Sequence, residues 1–220
     1  MAENQYDFPT EVLDLPSKGL LYPKENPLSS GRIDIKYMTA KEEDILTSTN
    51  LLEKGLAIDK LLESIIANPK VKLDDILLGD KNAIMIGARI LGYGKNYEIT
   101  MMDPDTVQEV TTTVDLSTIK HKVVDQSLLE ENSEGKFTFE LPNTKRTLEF
   151  KLLTHKDEKV IEETERALEK VSPDGVQSKL TSRYKQQILS VDGDTKPTTI
   201  NRFIDKEFLS LDSREFRNYV

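Results

Sequence analysis

The residues that could do chemistry are few, and their spacing is poor for it. The chain has two histidines, His121 and His155, and no cysteine, so there is no thiol nucleophile, no disulfide and no thiolate metal site. His155 falls in the first turn of a predicted helix, where a positive charge opposes the helix dipole, so a neutral imidazole is expected there. Neither imidazole comes with a nucleophile and an orienting partner at a recognisable spacing. Carboxylates are plentiful: Glu42-Glu43-Asp44, Asp74-Asp75 and Glu162-Glu163-Glu165. Each cluster lies opposite an apolar stripe and reads as a solvated face, not as an acid–base pair or a metal site. Gly79-Asp80-Lys81 lacks the upstream glycine and the following Ser or Thr of a phosphate loop, and reads as a helix start. Gly87, Gly92 and Gly94 close a helix, whereas a dinucleotide-binding glycine motif opens one. The expectation is a protein without catalytic residues, cofactor or metal.

Bulk properties narrow the class. Thirty Lys and Arg against 39 Asp and Glu give a formal charge of −9, which argues against holding nucleic acid. No run approaches the roughly 18 apolar residues of a membrane span, and the first residues lack the basic start and apolar core of a signal peptide. An acidic, soluble, intracellular chain is expected.

The elements follow from periodicity. Residues 1–30 carry Pro9, Pro16, Pro23 and Pro27, four of the nine prolines, and should form an extended arm with turns at SKG and NPLSSG. Leu20, Leu21 and Tyr22 suit the arm either to its own core or to a neighbouring subunit. Residues 31–94 read as a strand plus helices. Arg32–Met38 alternates as a strand, and Thr39 with Glu42 makes a capping box for a helix to about Leu52 with Ile45, Leu46, Thr49 and Leu52 inward. Ile58, Leu61, Leu62, Ile65 and Ile66 mark an amphipathic helix ended by Asn68-Pro69. Asp80 is expected to cap a helix over Lys81–Leu91 that is buried on most sides. Gly87 and Ala88 would admit a second helix closely, and Gly92–Gly94 stops it.

Residues 95–154 change to period two. Tyr97–Met101, the turn Met102–Asp105 and the run Val107–Val114 form one hairpin; Phe137–Leu141 and Leu148–Leu152 form another. A small antiparallel sheet of four or more strands is expected, with 115–135 a polar connection. Residues 155–220 read as C-terminal helices. Thr154 and Asp157 cap the first, whose buried stripe is Val160, Ile161, Thr164, Ala167, Leu168 and Val171, with a Glu162–Arg166 pair outside. Ser172–Gly175 should end it. Val176, Leu180, Tyr184 and Ile188 then predict another helix, ended by Asp192-Gly193. Phe203, Phe208, Phe216 and Tyr219 lie on a terminal helix or pair, as core or as partner anchors, with the core spacing favoured. Helices, then strands, then helices define an α+β chain, packed as one or two domains.

Two stretches carry more than generic patterning. One begins LPSKGLLYP (Leu15–Pro23), continues through SSGRIDIKYMTAKEEDILTS to Ser48, and ends with LLEKGLAIDKLLESII at Ile66. The other is LLGDKNAIMIGARILGYGKNYE, Leu77–Glu98. Together they resemble the baseplate hub assembly proteins of T-even-type contractile-tailed bacteriophages. The matching features are the Leu15–Gly19 arm, the Met38–Asp44 helix start, Lys54-Gly55 and the Arg89–Gly94 helix end. LSLDSREFRNY, Leu209–Tyr219, is similar to the closing helix, while Thr100–Thr199 is matched in layout alone. Some relatives continue into a Cys-containing, aromatic-rich tail; here the sequence stops at Val220 without Cys.

The resemblance implies a non-enzymatic role in building the baseplate hub before the tail tube grows on it. The implied partners are other baseplate hub proteins and the tape-measure protein. The implied location is the host cytoplasm during assembly, and the virion baseplate for a stoichiometric subunit. A transient tape-measure chaperone is the close variant. A carboxylate-dependent cell-wall hydrolase is the other class, disfavoured by the absence of a resolvable acid pair and of Trp. Partner contacts are expected from Leu20, Leu21 and Tyr22 in the arm and from the C-terminal aromatic residues.

Overall fold

The structure is a computed structural model that describes residues 8–104, 108–120, 126–132, 134–171 and 178–220. His121, the Asp105 end of the first hairpin turn, Val107, the Ser172–Gly175 stop and Val176 lie outside the described residues. The chain is α+β, and it divides into two compact units. One is built from the residues up to Leu73 and from Gly79 onward to the first hairpin; the other takes Asp74–Leu78 and the chain from residue 125.

The N-terminal unit contains β1 (Thr10–Asp14), β2 (Arg32–Lys36), α1 (Ala40–Thr47), α2 (Thr49–Glu53) and α3 (Ala57–Ile65). It continues with α4 (Leu78–Tyr93, apart from its first residue), β3 (Asn96–Met102) and β4 (Glu109–Asp115). The arm is therefore not merely extended: its residues Thr10–Asp14 pair antiparallel with β2, Leu13 opposite Ile33. Alternation in β2 buries Ile33 and Ile35, and the end of α3 joins through Ala67 N–H to the Asp34 carbonyl at 3.0 Å. On α3 the buried stripe is Leu61, Leu62 and Ile65.

The Thr39–Glu42 capping box forms as expected, but the helix it starts stops at Thr47. Ser48 is extended, and α2 restarts with Thr49 and Leu52 exposed, not inward. Thr47, Ser48 and Thr49 are weak helix formers, and the Thr47 hydroxyl bonds back to the Glu43 carbonyl at 2.9 Å. Helix α4 starts before Asp80, so Asp80 is a first-turn residue and does not cap. Ile84 and Ala88 are buried, but Met85, Ile86 and Ile90 are only half-buried, so the burial on most sides expected of this helix holds for one face. The space over Gly87 and Gly92 is filled by the Leu13 and Met38 side chains, not by a second helix. Gly94, at φ 81°, ends the helix.

The C-terminal unit contains α5 (Gln126–Glu131), β5 (Lys136–Glu140), β6 (Thr147–Lys151), α6 (His155–Val171), α7 (Lys179–Gln187), β7 (Ile188–Val191), α8 (Pro197–Lys206) and α9 (Ser210–Tyr219). The two expected hairpins do not merge. Strands β3 and β4 form a sheet of their own, and β5-β6 gains a third strand, β7, that the periodicity assigned to the tail of a helix. Ile-Leu-Ser-Val before an Asp-Gly turn is a short apolar run that suits either state, and the open edge of β6 decides it. Phe150 then faces Ile188 and Leu148 faces Val191, all four buried.

Helix α6 is capped as expected, Thr154 N–H to Asp157 Oδ2 at 2.9 Å, and Arg166 meets Glu162 at 3.6 Å. Its expected buried stripe is largely exposed: Val160, Thr164, Ala167, Leu168 and Val171 face solvent, and Ile161 is half-buried. The helical periodicity is present; the packing surface it should meet is absent among the described residues.

Candidate protein-docking surface

The site begins with how the arm is held on α4. The Asp80 carboxylate, in the first turn of α4, is buried. It accepts the Ser17 N–H at 3.0 Å, the Ser17 hydroxyl at 2.6 Å and the Tyr22 hydroxyl at 2.7 Å. Hydrogen bonds to a charged acceptor are the stronger kind, so residues 58 and 63 positions away are tied to one helix end. Lys18 and Gly19 turn the chain through left-handed conformations, φ 51° and 77°. A Cβ on Gly19 would collide with the Ser29 carbonyl, and one on Gly31, at φ 72°, would lie 2.6 Å from the Lys18 carbonyl oxygen. The two turns interlock backbone to backbone, which only glycine permits. Leu15, Tyr22 and Leu28 are consequently buried, whereas Leu20 and Leu21 stay half-exposed.

With the arm clamped over one face, the opposite face of α4 is left open. It forms an apolar groove of 440 Å³ with Met38, Leu46 of α1, and Ile58 and Leu61 of α3. Met85, Ile86 and Ala88 of α4 complete the floor, and Tyr93, Tyr97 and Leu116 lie at the rim. Among the described residues, Arg89 is the single charged one of the lining. Its guanidinium stacks over Tyr93 at 4.8 Å and Tyr97 at 5.4 Å and donates to the Gly94 carbonyl at 3.3 Å. Through Tyr97 the groove runs into the β3-β4 hairpin. By strand alternation one face of that hairpin carries Tyr97, Ile99, Met101, Val110, Thr112 and Val114. Tyr97, Met101 and Val110 are 43%, 51% and 45% exposed.

The C-terminal unit is organised differently. Phe150 and Phe216 meet edge-on at 5.1 Å, Phe137 stacks on Phe150 at 5.5 Å, and Tyr184 lies 5.1 Å from Phe208. Phe203 stacks on Phe208 at 5.1 Å. Of the sequence-predicted aromatic anchors, Phe203 and Phe216 are buried in this cluster, Phe208 is half-buried, and Tyr219 is exposed at its edge, 4.5 Å from Phe139. Leu20, Leu21 and Tyr22 belong to the N-terminal unit and these aromatic residues to the C-terminal unit. Asp212, fully buried in the first turn of α9, accepts Asn143 N–H and Nδ2 at 2.8 Å each. It also accepts Thr144 N–H at 3.1 Å and the Thr144 hydroxyl at 2.8 Å. Burial alone would raise this carboxyl, but the donors from Asn143 and Thr144 outweigh it and hold it below its ordinary value.

The acidic clusters are only partly the solvated faces expected. Glu43 and Asp44 are exposed, but Glu42 is buried. Burial pushes its pKa up; bonds from Ser64 at 2.6 Å and from the Thr39 hydroxyl and N–H push it down further, to about 2. Glu165 accepts from Ser178 and Ser182, while Glu162 and Glu163 are exposed. His155 is buried, with Nδ1 3.5 Å from Glu158. Among the described residues no three His, Asp or Glu are grouped to hold a metal ion. No helix among them is long and apolar enough to cross a membrane.

The groove was not legible as a site in the sequence. Its one signal was the excess of apolar positions on α4 over what a single buried face requires.

The buried carboxylates of Glu42, Asp80 and Asp212 each accept several hydrogen bonds from the protein's own N–H and O–H groups. The T4 bacteriophage base plate protein family matches residues 15–209, and the chain belongs to that family. No curated protein and no solved structure matches it.

Proposed function

We propose that this base plate protein acts at the baseplate hub, in assembly of the baseplate and tail, through protein–protein contacts and without catalysis. Its partners are other baseplate hub proteins and the tape-measure protein, and it resides in the host cytoplasm during assembly and in the virion baseplate thereafter. The observation that carries this reading is the apolar groove and hairpin face of the N-terminal unit. Exposed apolar surface rimmed by polar residues marks contact sites on soluble proteins. Binding energy in such contacts concentrates in a few aromatic and Arg anchors, the types found in Tyr93, Tyr97 and Arg89. The arm contributes Leu20 and Leu21, which are half-exposed beside a clamped Tyr22. Support for a non-enzymatic role comes from the same carboxylates that a hydrolase would need: Glu42, Asp80 and Asp212 each accept several structural hydrogen bonds.

Quantitative mass spectrometry of purified virions against infected-cell lysate tests the proposal. A fixed ratio to known tail subunits is the expected result. Abundance in lysate with absence from virions would make the chain a transient tape-measure chaperone. No association with tails at all, or peptidoglycan clearing that is lost on a single Asp or Glu substitution, would overturn it.

A further inference from the structure

We propose that the groove of the N-terminal unit receives an amphipathic α-helix of a partner protein. The apolar face of that helix lies on Ile58, Met85 and Ile86, and one carboxylate meets Arg89. The inference rests on the reading of the chain as an assembly protein and specifies what one of its surfaces binds.

Three observations lead there. The first is charge. The chain has 39 acidic residues, yet among the described residues no carboxylate lies within ion-pair distance of Arg89. A guanidinium has five donors, and this one is held in place by two tyrosine rings and a single backbone carbonyl. A fixed cation on an otherwise apolar lining is complementary to a carboxylate carried on an apolar surface. The second is shape. The groove is walled by α1, α3 and α4, and its volume of 440 Å³ suits a few side chains entering from one direction. Helices that dock in such grooves present anchors at i, i+3 or i+4, and i+7. The third is the hairpin. A two-stranded sheet is marginal in water unless one face is covered, and the apolar face of β3-β4 is contiguous with the groove at Tyr97. A partner long enough to leave the groove would cover Met101 and Val110 as well.

Charge also decides against a second copy as the occupant. Two chains of −9 repel, and a twofold contact on this groove would set Arg89 of each copy into an apolar surface that carries the same positive charge. A small apolar molecule would leave both Arg89 and the hairpin face unanswered.

The test uses the full chain and fluorescein-labelled synthetic helical peptides of about 15 residues, with Leu at i, i+4 and i+7. One peptide carries Glu beside the middle Leu and the other carries Lys there. Anisotropy should show saturable binding of the Glu peptide to the native chain and about tenfold or greater weakening by Arg89→Glu, a half-exposed position whose charge reversal leaves the core intact. The Lys peptide should show the opposite preference. Ile86→Asp should remove binding of both, with circular dichroism checking that its helix content is retained. Absence of saturable binding, or equal binding of both peptides to the native chain and to Arg89→Glu, overturns the proposal. So does a dimer in sedimentation that Arg89→Glu or Ile86→Asp dissociates, which would make the occupant a second copy. Uptake of an apolar dye without peptide binding would make it a small-molecule cavity. If the peptides fail while the chain is still found in virions, the groove assignment falls and the assembly reading stands. If the peptides bind while the chain is absent from tails, the reverse holds.

Discussion

The two units solve the same fastening problem with the same device and then diverge. In each, a buried aspartate in the first turn of a helix gathers donors from a remote Pro-containing loop: Asp80 from Ser17 and Tyr22, Asp212 from Asn143 and Thr144. Beyond that device the C-terminal unit closes a core of aromatic rings packed stacked and edge-on. The N-terminal unit builds its core mainly from aliphatic side chains, with Tyr22, and leaves an apolar groove and an exposed hairpin face. The difference teaches where partner surface is available. Rings in the C-terminal unit are spent on one another, whereas Tyr93 and Tyr97 stand at a rim.

The sharpest way to break this comparison is through the aromatic core. Phe216→Ala should cost about 3–5 kcal/mol, read as a fall in the urea midpoint, because its ring is wholly buried against four others. A cost below about 1 kcal/mol would mean that the cluster is not the core of the unit.

The two aspartates come next. Asp212→Ala strands four donors and Asp80→Ala three, so each should cost about 2–4 kcal/mol, with Asp212 the larger. Their local signatures should differ. Asp80→Ala should open the arm to trypsin at Lys18 and Lys24, and Asp212→Ala should open the β5-β6 loop at Lys145. Equal cleavage everywhere in both variants would show that neither contact is local.

A pH series separates the units less strongly. Glu42 ordinarily titrates near 4.5 and is held at about 2 in the fold. The folded form is the weaker proton binder, so its stabilisation is complete above the unfolded value and is lost as pH falls from about 4.5 toward 2. Asp157 and Asp212 are depressed as well and act in the same direction. The urea midpoint should therefore be flat near neutrality and drop on acidification. In Glu42→Gln the acid limb should be shallower, with a lower plateau at neutral pH. Thr39→Ala, which removes the other half of the same cap, should cost about 1 kcal/mol. Smallest of all, Met101→Lys on the exposed hairpin face should change stability by no more than about 0.5 kcal/mol.

What could be read beforehand was local. Thr39 with Glu42, Thr154 with Asp157, and the Glu162–Arg166 pair all lie within four residues of each other, and all formed as expected. The first hairpin was legible because its alternation is continuous over Tyr97–Met101. Contacts across the sequence were not. Nothing around Asp80 signals that Ser17 and Tyr22 will reach it, and the same residue read naturally as a cap. Periodicity also reports which side of a helix is apolar, not whether anything covers it. That is why the apolar stripe of α6 was expected to be buried and is largely exposed, and why the groove on α4 went unseen. Where a segment was short, as at Ile188–Val191, the available edge of β6 chose the state.

The interlocked turns at Gly19 and Gly31 and the Asp80 latch together impose an order in time. A ribosome makes the leucine-bearing arm before its anchor on α4, which lies about 60 residues later. At roughly 5–20 residues per second, the arm stays unlatched from α4 for several seconds of synthesis. Nascent chains arrested before Asp80 emerges should be clipped within the arm by protease, and chains arrested after α4 is clear should be protected there. The arm is thus latched to α4 only after that helix is made, and any factor that meets the growing chain will meet Leu20 and Leu21 before α4 exists.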